Sequence, residues 1–258
     1  MPAEVSPQDL RQAIARNELR LEYQPTVSID TKEPIGFEAL VRWQHPRLGL
    51  LTPDRFIPMA EETEVIVPMG AWVLRTACKQ VAKWGNDLTI AVNVSPVQLA
   101  NGLIPAVEEA LAESRLQGTR LWLEVTETTL THDPVRADAI LRKLLGRYGV
   151  STAIDDFGTG YSSLLYLRQF PSQQLKIDKA FVDRVDLSRQ DAGLVRVQID
   201  LAHNLGLEAL AEGVERSEQH GALLALGCDV GQGYLWGKPM PPKVVELYLL
   251  DPDNGGRT

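Results

Sequence analysis

Cysteine is scarce in this chain of 258 residues, where Cys78 and Cys228 are the only two. One falls in a helical pattern and the other beside a late strand, so both read as buried thiols; a disulfide framework and a thiolate metal site are excluded. Histidine is sparse too. His45 precedes a proline, His132 is placed in a loop, and His203 and His220 sit on helical patterns without paired spacing, which makes no zinc site. No stretch approaches the roughly eighteen consecutive apolar residues of a membrane span. The start, Met1-Pro2-Ala3-Glu4-Val5-Ser6-Pro7, lacks the basic flank and apolar centre of a signal peptide. The expected setting is the cytoplasm, as a free protein or as the cytoplasmic part of a larger membrane or sensor protein, with no direct membrane contact. Basic residues are outnumbered, 26 Lys and Arg against 34 Asp and Glu, for a net charge of -8. That balance argues against a broad surface for large nucleic acids. An anionic substrate must then be met locally, by metal ions or a few placed cations. No linker rich in glycine, serine or proline divides the chain, so a single domain over residues 1–258 is expected.

What is present is an alternation of short β-branched runs with amphipathic helical patterns, the signature of βα units. The runs are Arg20 to Ile29, Pro34 to Val41, Leu88 to Val94, Arg120 to Val125, Val150 to Asp155, Gln174 to Ile177, Leu207 to Ala211, and a weaker one from Val230 to Leu235. Eight strands would close a barrel, so the expected fold is an α/β, TIM-like (β/α)8 barrel. Leu103, Val107 and Leu111 recur at helical spacing, as do Leu194, Val197, Leu201 and Leu205, giving two apolar stripes expected to pack on the sheet. Gly85 and Gly206 stand where helices should stop. Ser95-Pro96 reads as a helix start, which puts Asn93 at a strand's C-terminal end. Only Asp30-Thr31-Lys32-Glu33 separates the first two runs, too few residues for a helical crossover; those strands should be antiparallel.

Acidic residues interrupt these runs where charge is costly without a partner. Glu38 lies within Ile35 to Val41, Glu124 within Leu121 to Glu127, Asp155 and Asp156 end Val150 to Ile154, and Glu212 follows Ala211. Residues at the C-terminal ends of barrel strands converge on one face, so these acids can meet despite their separation in sequence. Oxygen ligands of this kind suit magnesium or manganese. Adjacent aspartates allow one carboxylate to bridge two ions while the other binds only the second, a two-metal arrangement suited to displacement at phosphorus. Lys176 would bring an ammonium to the next strand end, to hold a water or offset charge on phosphate. Each residue taken alone has a plainer reading: Glu38 as a paired structural acid, Asn93 as a strand-end cap, Glu127 as a turn cap, and Lys176 with Asp178 as a surface pair. Asp156-Phe157-Gly158 matches the metal-binding triplet of protein kinases, but no glycine-rich strand-loop or His-Arg-Asp loop accompanies it, and the kinase reading is rejected.

The residues resemble the EAL domain family of bacterial cyclic di-GMP phosphodiesterases. The likeness is carried by Glu38-Ala39-Leu40 with Arg42-Trp43 and Gln44-His45-Pro46, and by Tyr23-Gln24-Pro25, Asn93-Val94-Ser95-Pro96 and Glu124-Val125-Thr126-Glu127. It continues through Asp155 to Ser163, Leu175-Lys176-Ile177-Asp178, Ala211-Glu212-Gly213-Val214-Glu215 and Gln232-Gly233-Tyr234. It runs from about Leu10 to Leu250. The chain departs from the usual pattern at Val41, at Glu64 where glycine often stands, and at Val230-Gly231.

The resemblance implies a barrel with one antiparallel strand and metal-dependent hydrolysis of cyclic di-GMP to linear pGpG, the work of a cyclic-guanylate-specific phosphodiesterase. It implies two divalent ions, Mg2+ or Mn2+, one held by Glu38, Asn93, Glu124 and Asp155, the other by Asp155, Asp156 and Glu212. Lys176 would position the water, Glu212 would be general base, and Glu127 would anchor a loop from Phe157 to Ser163. Gln24, Arg42, Asp178 and Gln232 would contact substrate, and a homodimer is the expected assembly. Two other readings stand beside this one: a catalytically silent cyclic di-GMP receptor signalling through a protein partner, and a different metal-dependent barrel phosphoesterase.

Overall fold

A computed structural model describes residues 5–85, 87–157 and 169–251. Among them one nine-stranded sheet is formed by β1 (Leu19–Ser28), β2 (Pro34–His45), β3 (Gly49–Leu51), β4 (Thr89–Val94), β5 (Leu121–Thr126), β6 (Ser151–Phe157), β7 (Gln174–Ile177), β8 (Glu208–Ala211) and β9 (Val230–Gln232). β1 pairs with both β2 and β9, which closes eight strands into a barrel and leaves β3 outside it, on the far end of β2. Both pairings of β1 are antiparallel, while β2 and β4 to β9 run parallel. The short turn after β1 forces this reversal, as its length predicts.

The long β1–β2 pair outgrows the barrel. β2 pairs with β4 only as far as Ala39↔Val92, whereas its ladder with β1 continues to Leu19↔Trp43. One face of the overhang packs into a second apolar cluster of Leu10, Trp43, Leu51, Phe56 and Met69, apart from the main core between strands and helices. Burying a side chain such as Trp43 or Phe56 contributes about 1.5–3 kcal/mol. The Trp43 indole also donates to Glu18 at 3.1 Å. This lobe, and β3 within it, has no counterpart in the sequence reading, because a three-residue strand leaves no period to detect.

Ser95 caps the helix Pro96–Ala100, its hydroxyl accepting from the Gln98 N–H, with Pro96 at the first position as expected. The helix Leu103–Ser114 buries Leu103, Val107 and Leu111. The helix Arg189–Asn204 corrects the other stripe in part: Leu201, and Leu205 just beyond the helix, pack against the core as expected, but Leu194 and Val197 do not. It turns Val195, Gln198, Ile199 and Ala202 inward and leaves Leu194 and Val197 exposed, at 47% and 64%. Two apolar stripes share this helix; the small Ala202 and the branched Val195 and Ile199 pack on the sheet, and the longer Leu194 is turned away. His132 ends the helix Glu127–His132 rather than lying in a loop, because Thr126 caps that helix through the Thr129 N–H. Glu64 is exposed and left-handed at φ 58°. Both cysteines are buried and unpaired.

Candidate active site

Side chains alternate across a strand, so Glu38, Leu40 and Arg42 of β2 share a face, as do Glu22 and Gln24 of β1 opposite them. The same alternation and the parallel register bring Asn93 level with Glu124, and Thr126 level with Asp155, at the barrel mouth. Glu212 follows β8 directly and is held there by its N–H donating to the Ile177 carbonyl at 3.0 Å. Two neighbours on a regular strand would face opposite ways. Asp156 escapes this because its backbone is left-handed, φ 56°, where the β6–β7 register slips between Ile154 and Phe157; its N–H donates to Asp155 Oδ1 at 2.9 Å. A left-handed non-glycine residue costs about 1–2 kcal/mol, and aspartate tolerates it better than most.

Lys176 stands at the centre, 1% exposed, with Nζ 2.8 Å from Glu124, 3.3 Å from Asp155 and 2.6 Å from Glu212. Burial works against its ammonium, yet the charges of Glu124, Glu212, Glu38 and Asp155 hold its pKa well above the ordinary lysine value. The carboxylates divide. Burial and the charge of Glu38 push Glu124 well up, despite Lys176. Burial lifts Glu212 to about 7, against the pull of Lys176. Asp156 is raised by burial and by the charges of Asp155 and Asp178. For Glu38 burial also pushes upward, but Lys176 and hydrogen bonds from Gln232 (2.7 Å) and Asn93 (2.6 Å) outweigh it and leave the group below its ordinary value.

Gln232 therefore ties β9 to Glu38, and its amide also reaches Gln24 Oε1 at 3.3 Å, while its own buried Oε1 has no partner among the described residues. These residues wall a cleft of about 220 Å³ with Glu212, Glu215 and the half-exposed Tyr234. A larger cleft, about 480 Å³, opens beside Asn93 between Leu40, Ile57 and Met69. Arg42 pairs with Glu22 at 2.8 Å. Asp178 caps the helix Lys179–Val182 through the Ala180 N–H at 2.9 Å. Glu127 is half-buried at the start of its helix. The loop it is expected to anchor lies outside the described residues beyond Phe157. The sequence reading gave Tyr234 no role of its own and missed Glu22 and the larger cleft; Glu22 was recoverable, since it stands two residues from Gln24 on the same face of β1.

Among the described residues, no three His, Cys, Asp or Glu side chains are spaced to hold a metal ion. Three of the carboxylates close on Lys176 instead. The donor set nonetheless fits hard divalent ions: it offers oxygen atoms only, and Glu38, Glu124, Asp155, Asp156 and Glu212 crowd together around the Lys176 ammonium, with burial and their mutual charge raising Glu124, Asp156 and Glu212 above their ordinary values.

A closed barrel with one reversed strand and acids at its C-terminal mouth defines a narrow class of α/β protein. The sequence matches the EAL domain over residues 7–239, and the chain belongs to the EAL domain family. It is 46% identical over 238 residues to the bifunctional diguanylate cyclase/cyclic di-GMP phosphodiesterase MucR of Pseudomonas aeruginosa, covering 90% of this chain and 35% of that protein. The cyclic di-GMP phosphodiesterase NbdA of the same organism is 40% identical over 247 residues, covering 94% of this chain and 31% of that protein. The chain thus spans about a third of the length of these relatives. A solved structure of the MucR phosphodiesterase in complex with c-di-GMP superposes with a TM-score of 0.87 at 45% identity, covering 92% of this chain and 98% of that one.

Proposed function

We propose that this chain is a divalent-metal-dependent phosphodiesterase that hydrolyses cyclic di-GMP to linear pGpG, lowering that second messenger. The observation that carries the reading is a set of five carboxylates from four strands, three of them closed on a single buried ammonium, at the mouth of an EAL barrel. The names of MucR and NbdA point to the same substrate. Glu38, Asn93, Glu124 and Asp155 would hold one ion, Mg2+ or Mn2+, and Asp155, Asp156 and Glu212 a second. When bound, the ions supply Lewis-acid stabilisation of charge on the attacking and leaving oxygens.

The chain's own residues do the rest. Lys176 orients the water, whose oxygen forms a new bond to phosphorus as the bond to the 3′ oxygen breaks. Glu212, 2.6 Å from the Lys176 ammonium, takes one proton from the water and later releases it to solvent, and the departing 3′ oxygen takes up one proton from solvent water. Gln24, Arg42, Asp178 and Gln232 contact the nucleotide; the unpartnered Gln232 Oε1 suits a guanine N–H. The apolar cleft beside Asn93 is large enough for a flat purine. Glu127 anchors the loop that follows Phe157. We further propose a single domain, acting in the cytoplasm as a homodimer. Among the described residues no helix is long and apolar enough to cross a membrane.

The test is conversion of cyclic di-GMP to pGpG with magnesium or manganese, followed by chromatography, for the wild type, Glu38→Ala and Lys176→Ala. Turnover that collapses in both variants supports the reading. Tight nucleotide binding without turnover in either metal assigns the chain instead to the receptors that signal through a protein partner.

A further inference from the structure

We infer that Glu22 is a positioning residue that presets the Arg42 guanidinium for the nucleotide. The inference rests on the reading of Arg42 as a substrate contact. Glu22 and Arg42 project from neighbouring antiparallel strands onto the face that carries Glu38 and Gln24, diagonally across the Glu22↔Leu40 and Arg20↔Arg42 pairs. Glu22 Oε2 accepts from Arg42 Nε at 2.8 Å, and the two side chains are only 19% and 10% exposed. Arg42 Nη1 donates to the Val41 carbonyl at 3.0 Å. The rigid fork is thus fixed at two of its three nitrogens, and among the described residues Nη2 has no partner.

Position explains what the remaining nitrogen is for. Four residues of extended strand separate Arg42 from Glu38, about 13 Å. Arg42 therefore stands on the overhanging part of β2, away from the carboxylates around Lys176, and meets a part of the substrate remote from the reacting phosphorus. An acceptor group there, a phosphate oxygen or the O6 and N7 edge of a guanine, takes the free N–H groups of a guanidinium whose rotamer is already chosen. A group that only orders another acts on binding and leaves the chemical step alone.

The test is a set of kinetic constants for wild type, Glu22→Ala and Glu22→Gln, each also in an Arg42→Ala background, with cyclic di-GMP and manganese. Glu22→Ala should raise KM about three- to tenfold at unchanged kcat, the size of one side chain's lost ordering. Glu22→Gln keeps the acceptor and should stay within about twofold of the wild type. With Arg42 removed, Glu22→Ala should do nothing more. The inference is overturned if KM is unchanged in Glu22→Ala, if kcat and thermal stability fall instead, or if the effect survives in the Arg42→Ala background. If the wild type does not turn over, the phosphodiesterase reading fails by itself, and the same series read as calorimetric Kd for cyclic di-GMP still decides the role of Glu22.

Discussion

Replacing Lys176 with methionine removes the one cation that Glu124, Asp155 and Glu212 share while keeping the length of the side chain. Three carboxylates, 2%, 14% and 21% exposed, then face one another across a space that had held contacts of 2.6–3.3 Å. Leaving buried charge uncompensated costs about 3–5 kcal/mol, which for a chain of this size lowers the Tm by roughly 6–20 °C. Proton uptake limits the loss. The orphaned Glu124 and Glu212 carboxyls would titrate above the ordinary glutamate value of about 4.3, so the penalty is full at pH 8 and eases as the pH falls toward that value. Divalent ions ease it too, by about 2.7 kcal/mol at a hundredfold excess over Kd. Thermal melts in EDTA at pH 8 and pH 5.5, and in manganese at pH 8, measure all three quantities. A variant in EDTA at pH 8 that melts with the wild type would refute the reasoning, because Lys176 would then be dispensable to the charge balance.

Other consequences are smaller and separable. Glu64 is exposed and left-handed, so Glu64→Gly should raise stability by about 0.5–1 kcal/mol in urea, relief of strain exceeding the added freedom of the unfolded chain. At the equally left-handed Asp156, Asp156→Gly should be about 1 kcal/mol more stable than Asp156→Ala, and the opposite order would show that the backbone there is not strained. A Cβ on Gly233 would fall 2.1 Å from the Val214 carbonyl oxygen, so Gly233→Ala should lose at least 2 kcal/mol or so and disturb Gln232 beside it, both visible in a melt and in nucleotide affinity. Burial pushes Cys78 and Cys228 up to about 12, so at pH 8 only roughly one thiol in ten thousand is ionised; alkylation should wait for unfolding, and prompt labelling of the native protein would contradict the burial.

The barrel was legible because each strand carries its own period: the run from Gln174 to Ile177 is β7 itself, and the short turn at Asp30–Glu33 announces the reversed β1. The acids were legible for the opposite reason, as charges in places that apolar periodicity reserves for the core. What escaped depended on contacts between distant segments. The stripe of Leu194 and Val197 has the same spacing as that of Val195, Ile199 and Ala202, and only the sheet decides which one is covered. The second lobe draws single residues from Leu10 to Met69, none of them periodic with the others. That Lys176 would gather three carboxylates directly was equally hidden, since strand ends say which residues meet and nothing of how close they come.

The reversed strand alters where the chain enters the barrel. A wholly parallel barrel takes up its first strand at the closed end, opposite the chemistry. Here β1 starts beside Trp43, on the overhang above the mouth, and runs down past Glu22 and Gln24 to Ser28 at the far end. The helix Pro7–Ala15, docked through Leu10 and Ala13 in the cluster around Trp43 and Phe56, hangs from that same edge. Any polypeptide attached upstream of this helix would thus arrive at the rim of the site, with a direct mechanical line along one strand to the side chains that face the nucleotide.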